Sequence, residues 1–146
     1  MADPEEWVES QFPNLAAKKA YQVESEATEE YNCIAWCVGI DDQWWWPEHD
    51  GTWPEGVPRE NTLTNFITAL SRLGYQPCED SAPEEGFGKV IIYIGEDGAP
   101  THMARQLPNG AWTSKLGNAW DIRHDTPQGL ENSAYGTVAQ ALKRPL

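Results

Sequence analysis

The residues best suited to covalent chemistry are a cysteine near the start of the chain and a histidine well beyond it. Cys33 follows Asn32 and opens the apolar run 33–38, CIAWCV, which Gly39 interrupts. Asparagine is a good N-cap and glycine a good stop, so the spacing predicts a short helix with Cys33 in its first turn. Unpaired N–H groups and the helix dipole favour a thiolate there, which makes a better nucleophile than the thiol. His102 lies just after the turn-forming Glu96-Asp97-Gly98, where a strand is expected to begin. A helix-borne thiol and a later strand-borne imidazole are the components a thiol hydrolase needs. Taken singly, each residue has a plainer reading: short-helix cysteines usually pack, and strand histidines are usually structural.

The other cysteines and histidines suggest no further centre. Cys37 and Cys78 are expected to be buried packing residues. Three cysteines are an odd number for a disulfide framework. No paired CxxC or HxxxH accompanies them, and His49, His102 and His124 are scattered, so neither a metal nor a cofactor is expected. His124 is expected as a turn or core residue.

The elements that must position this chemistry divide the chain in two. Residues 3–6, DPEE, start a helix that should end near Phe12-Pro13. Residues 14–30 end in an acidic run and are expected to form a surface connection. The segment 41–60 holds three prolines and four tryptophans. It is too broken for a regular element, and its indoles should either pin a loop to the core or wall a substrate cleft. Trp36, Trp44, Trp45, Trp46 and Trp53 are the cleft candidates. Asn61 or Thr62 caps an amphipathic helix through Leu63, Phe66, Ile67, Leu70 and Leu73, ended by Gly74. Strands are then predicted at 75–78, 89–95, 101–107 and 111–116, with hairpin turns at 96–98 and Asn109-Gly110. Residues 121–124 suit a short strand, and 135–144 suits a strand or a helix equally. The expectation is one α+β domain over 1–146, with helices in about 1–74 packed on an antiparallel meander in about 75–146.

Charge narrows the partners. The net charge is −13. Residues 1–60 carry fourteen acidic and three basic side chains, a net −11. Nucleic acid is disfavoured because phosphate binding needs a basic patch. The acid serves solubility, or forms a face for a basic partner protein. No stretch approaches the roughly 18 apolar residues of a membrane span, and the N-terminus lacks the basic and apolar regions of a secretory signal. A cytoplasmic location and no membrane partner are therefore expected.

The stretches YNCIAWCVG, QWWWP, TWPEGVPRE, THMARQL, GAWTSKLG, DIRH and YGTVAQALKRP resemble an uncharacterised family of small bacterial proteins. Its features run NCIAW, WWWP, THxARQ, WTSKLG and DIxH in that order, from Phe12 onward. The family is similar in layout to papain-like cysteine hydrolases, although the chain lacks the cysteine signatures of papain proper and of caspases. That resemblance implies a papain-like fold with Cys33 as nucleophile and His102 as general base, then acid. A peptide or amide is the implied substrate. A third polar group should orient the imidazole from the next strand or just beyond. A two-residue Asn109-Gly110 turn would pair His102 roughly with Gly117, leaving Ser114, Lys115, Asn118 and Asp121 as candidates. Asp121 has the best chemistry, and Ser114 lies in the most distinctive motif. The oxyanion would take the Cys33 N–H and a side-chain donor such as Asn32. Two other functions compete. One is an acidic inhibitor, immunity or adaptor protein on an inactive scaffold; the other is a tryptophan platform for glycans.

Overall fold

A computed structural model describes residues 4–18, 21–25, 53–107, 109–115, 121–132 and 135–145. Helices α1 (Pro4–Gln11) and α2 (Pro13–Lys18) lead into strand β1 (Tyr21–Ser25). Helix α3 (Leu63–Ser71) precedes β2 (Gln76–Cys78), β3 (Phe87–Ile94), β4 (Pro100–Gln106), β5 (Trp112–Lys115) and β6 (Asp121–His124). A 3-10 turn at Pro127–Leu130 and strand β7 (Thr137–Pro145) follow. These strands form an antiparallel sheet in the order β1-β6-β5-β4-β3-β7-β2. The class is α+β.

Both faces of the sheet are covered. Val90 and Ile92 of β3, with Met103 and Leu142, pack under Phe66, Ala69 and Leu70 of α3 and under Trp53. Ile91 and Tyr93, with Ala104, Trp112 and Ile122, pack against Val8, Phe12 and Leu15 of α1 and α2 and against Leu130. Double coverage explains why the centre of β3 reads as an unbroken apolar run, VIIYI, and not as an alternation. Each large side chain buried in these layers contributes about 1.5–3 kcal/mol.

Helix α3 is ended by its own sequence. The Asn65 N–H donates to Thr62 Oγ1 at 3.2 Å, which caps the first turn. At the other end, the N–H of Tyr75 donates to the Leu70 carbonyl and that of Gly74 to the Ser71 carbonyl, a Schellman pair.

Two expectations change, and one left open between strand and helix is decided. Residues 21–25 are not a surface connection: Tyr21 and Val23 are half-buried and Gln22 is exposed, a period of two, and they pair with β6. The helical half of the chain therefore supplies a strand to the sheet. Residues 137–145 form a strand, inserted between β3 and β2. The β4–β5 connection is not a two-residue turn. The Leu107 N–H donates to the Ala111 carbonyl and the Gly110 N–H to the Leu107 carbonyl, with Gly110 at φ 90°. That is a three-residue loop ending in a left-handed glycine, as at Gly95, Gly98 and Ala99 one hairpin earlier. The extra residue moves the register, so that Thr113 and not Ser114 lies opposite Arg105. A one-residue slip exchanges the faces of a strand. Ser114 is thereby placed on the α1–α2 face of the sheet, the face that carries His102.

Candidate functional site

His102 sits on β4 opposite Tyr93 of β3, just past a bulge between Tyr93 and Ile94. Its ring is 1% exposed and stacks on Tyr135, with centroids 4.3 Å apart and planes within 5°. Tyr135 is itself held from several sides. Its N–H donates to Asn132 Oδ1 at 2.6 Å, its carbonyl accepts from the Thr101 hydroxyl, and its ring lies 5.4 Å from Phe12. Tyr93 flanks the imidazole at 5.4 Å and donates its hydroxyl to the Pro127 carbonyl at 2.6 Å. The histidine is thus clamped between two rings, each anchored by hydrogen bonds.

Burial drives the His102 pKa well below its ordinary value, and the nearby His124 pushes in the same direction. The imidazole is neutral at pH 7. Its Nε2 is buried and has no hydrogen-bond partner among the described residues. Asn61 Oδ1 shares that condition, although its Nδ2 donates to the Pro100 carbonyl at 3.2 Å near the start of β4. Buried polar atoms are almost always paired, so each exception calls for an explanation.

A second polar pair lies on the same sheet face. Ser114 Oγ is 2.8 Å from His124 Nε2, and both residues are fully buried. They are diagonal neighbours, because Ser114 pairs with Ile122 and Trp112 with His124. His124 Nδ1 lies 2.9 Å from the Thr126 carbonyl. A carbonyl only accepts, so Nδ1 carries the proton. Burial lowers the His124 pKa to about 4. The ring is therefore neutral, its Nε2 accepts, and Ser114 donates.

The positions expected from sequence fare differently. His102 and Ser114 come to one face on adjacent strands, but the Ser114 hydrogen bond goes to His124. Asp121 pairs across the β5–β6 ladder with Lys115. Trp53 is not an exposed cleft wall. It packs on Phe66 at 5.3 Å, 8% exposed, and donates its indole N–H to the Pro58 carbonyl at 3.1 Å. Asn32, Cys33, Trp36, Cys37, Trp44, Trp45, Trp46, His49 and Asn118 lie outside the described residues. Cys78 is a free, half-buried thiol, not a packed core residue, because it stands on the short edge strand β2. Burial raises its pKa, partly offset by Lys89 and Lys143. Sequence reasoning assigns His124 only a packing role; the DIRH motif is the signal, and its partner emerges only with the register.

No group of three or more His, Cys, Asp or Glu side chains among the described residues is placed to hold a metal. No described helix is long and apolar enough to cross a membrane.

The architecture is that of an α+β domain with buried polar groups on one sheet face. A family model described as a domain of unknown function (DUF7689) matches residues 22–143, and the chain belongs to that family. Comparison with curated proteins and with solved structures gives no match.

Proposed function

We propose that this protein is a papain-like cysteine hydrolase acting on a peptide or amide bond, with Cys33 as nucleophile and His102 as its base. The observation that carries this reading is the His102 imidazole, clamped, neutral and with Nε2 unpartnered among the described residues. A base must be unprotonated before it acts, and a buried nitrogen without a partner is costly unless something occupies it during turnover. In this mechanism Cys33 passes its thiol proton to His102 and the thiolate attacks the substrate carbonyl carbon. The C–N bond then breaks, and His102 protonates the leaving amine. Water hydrolyses the thioester and restores the thiol. The Cys33 N–H and Asn32 support the oxyanion, and Asp121 or Ser114 orients the imidazole. Trp36, Trp44, Trp45 and Trp46 line the cleft.

The test is the rate of Cys33 alkylation by iodoacetamide against pH, with and without His102→Ala. Cys78 is an internal control, since its raised pKa keeps it slow. Rapid reaction of Cys33 well below about pH 8.5, lost in His102→Ala, is the expected result. A Cys33 that reacts only on unfolding, or that ignores the His102 change, removes the proposal. The acidic face and a basic partner protein would then be the next subject.

A further inference from the structure

We infer that Tyr135 is a positioning residue for His102: its ring fixes the plane of the imidazole and presents a negative face to the imidazolium formed when Cys33 gives up its proton. This deepens the reading of His102 as a base and rests on it.

The contact is direct. The Tyr135 and His102 rings lie 4.3 Å apart and within 5° of parallel. A stack of that kind occupies the face of the imidazole and leaves its edge, where Nε2 lies. The Nε2 lone pair is in the ring plane, so whatever sets that plane sets the line along which the nitrogen takes a proton. The face of a phenol ring is also its electron-rich side, which attracts a cation more than a neutral ring. Tyr93, tilted by 53° at 5.4 Å, adds a second aromatic neighbour. Burial and His124 both push against protonation of His102. A stacked phenol works against that pressure where an aliphatic side chain would not.

The backbone places the ring in advance. Thr101, directly before His102, donates its hydroxyl to the Tyr135 carbonyl, and the Tyr135 N–H donates to Asn132 Oδ1 at 2.6 Å. Asn132 is tied in turn to α1, its Nδ2 donating to the Gln11 carbonyl at 2.8 Å. Gly136 then passes so close to β3 that an added Cβ would overlap the Ile94 carbonyl. Residue 135 is therefore held on both sides of its own Cα. The charged groups of the neighbouring elements are engaged elsewhere. Glu131 accepts from the Val138 N–H at 3.0 Å, and Glu9 of α1 from the Tyr21 hydroxyl at 2.8 Å. Lys89 of β3 pairs with Asp80 at 3.2 Å, and Asp125 acts on His124.

The test changes the charge on the ring face while keeping the ring. Tyr135→Phe is the reference, and phenylalanines of increasing ring fluorination at position 135 progressively drain the negative face. On the full chain, ring NMR should give His102 a titration midpoint in Tyr135→Phe close to that of the wild type. Along the fluorinated series it should fall by about one pH unit, a roughly tenfold loss of imidazolium. The rate of Cys33 alkylation at neutral pH should fall in the same order. Midpoints that coincide along the series overturn the inference, whatever a cruder change such as Tyr135→Leu does. A His102 that stays neutral in every variant until the chain unfolds overturns it as well. If wild-type Cys33 is inert, the hydrolase reading fails separately. The His102 midpoints then decide alone: a fall with fluorination sustains the inference, and coincidence overturns it.

Discussion

At the scale of single residues, the two buried histidines make acid sensitivity a property of the folded state. Unfolded, His124 should titrate near its ordinary 6.5, while folded it titrates at about 4. Between those values the unfolded chain binds more protons, so stability rises with pH. The contribution of His124 is complete above about pH 6.5 and drains away as the pH falls toward 4, a loss of about 3 kcal/mol. His102 acts in the same direction. Urea midpoints measured between pH 7 and pH 4 should fall steadily, and His124→Gln should flatten that dependence while lowering the plateau. An equal slope in the variant would show that other groups carry the effect. Of this site, His102 is legible in the sequence, because a strand-opening histidine after a turn is a local pattern. The Ser114–His124 contact is not. It depends on a register set by one extra loop residue, and on a diagonal pairing that no local spacing encodes.

At the scale of elements, caps and close approaches dominate. Thr62→Ala removes the side-chain acceptor of the Asn65 N–H and should cost about 1 kcal/mol, read as a lower thermal midpoint with the fold unchanged. Gly136 lies against the end of β3, where an added Cβ would overlap the Ile94 carbonyl, and its φ is 77°. Gly136→Ala should therefore be far more damaging, above about 3 kcal/mol, because backbone must move to admit it. A near-neutral effect would mean that β3 yields readily to residue 136. Helix α3 and strands β3 to β6 are legible because period, caps and turns agree along each of them. Strand β1 is not, since the acids that follow it dominate the composition. Strand β7 is ambiguous for a related reason: TVAQALKRP carries apolar spacing that satisfies both periods.

At the scale of the whole molecule, one sheet holds two helical layers apart, and residues of its central strands serve both. Leu142 illustrates the dependence. It is fully buried, pairs with Val90 of β3 and Pro77 of β2, and completes the core under α3. Leu142→Ala should cost about 2–5 kcal/mol, so unfolding in urea should begin at markedly lower concentration. A cost below about 1 kcal/mol would mean that the layer closes over the lost atoms. The order of helices and strands along the chain, taken alone, predicts a single stack of helices on a meander. The two-sided arrangement follows from facts that order does not contain: α3 covers one face, while α1 and α2 cover the other.

The placement of β7 also has a kinetic consequence. Strands β2 and β3 are close in sequence yet never pair, because residues 137–145 fill the space between them. The apolar centre of the sheet therefore waits on a partner that comes more than forty residues after the end of β3. Contacts of such long separation must repay their loop entropy before they stabilise anything. Refolding should be slow for a chain of this size, with an interval in which the β3 edge stands open to other chains. Dilution, or a chaperone that shields that edge, should raise the yield of native protein more than any stabilising change within α3.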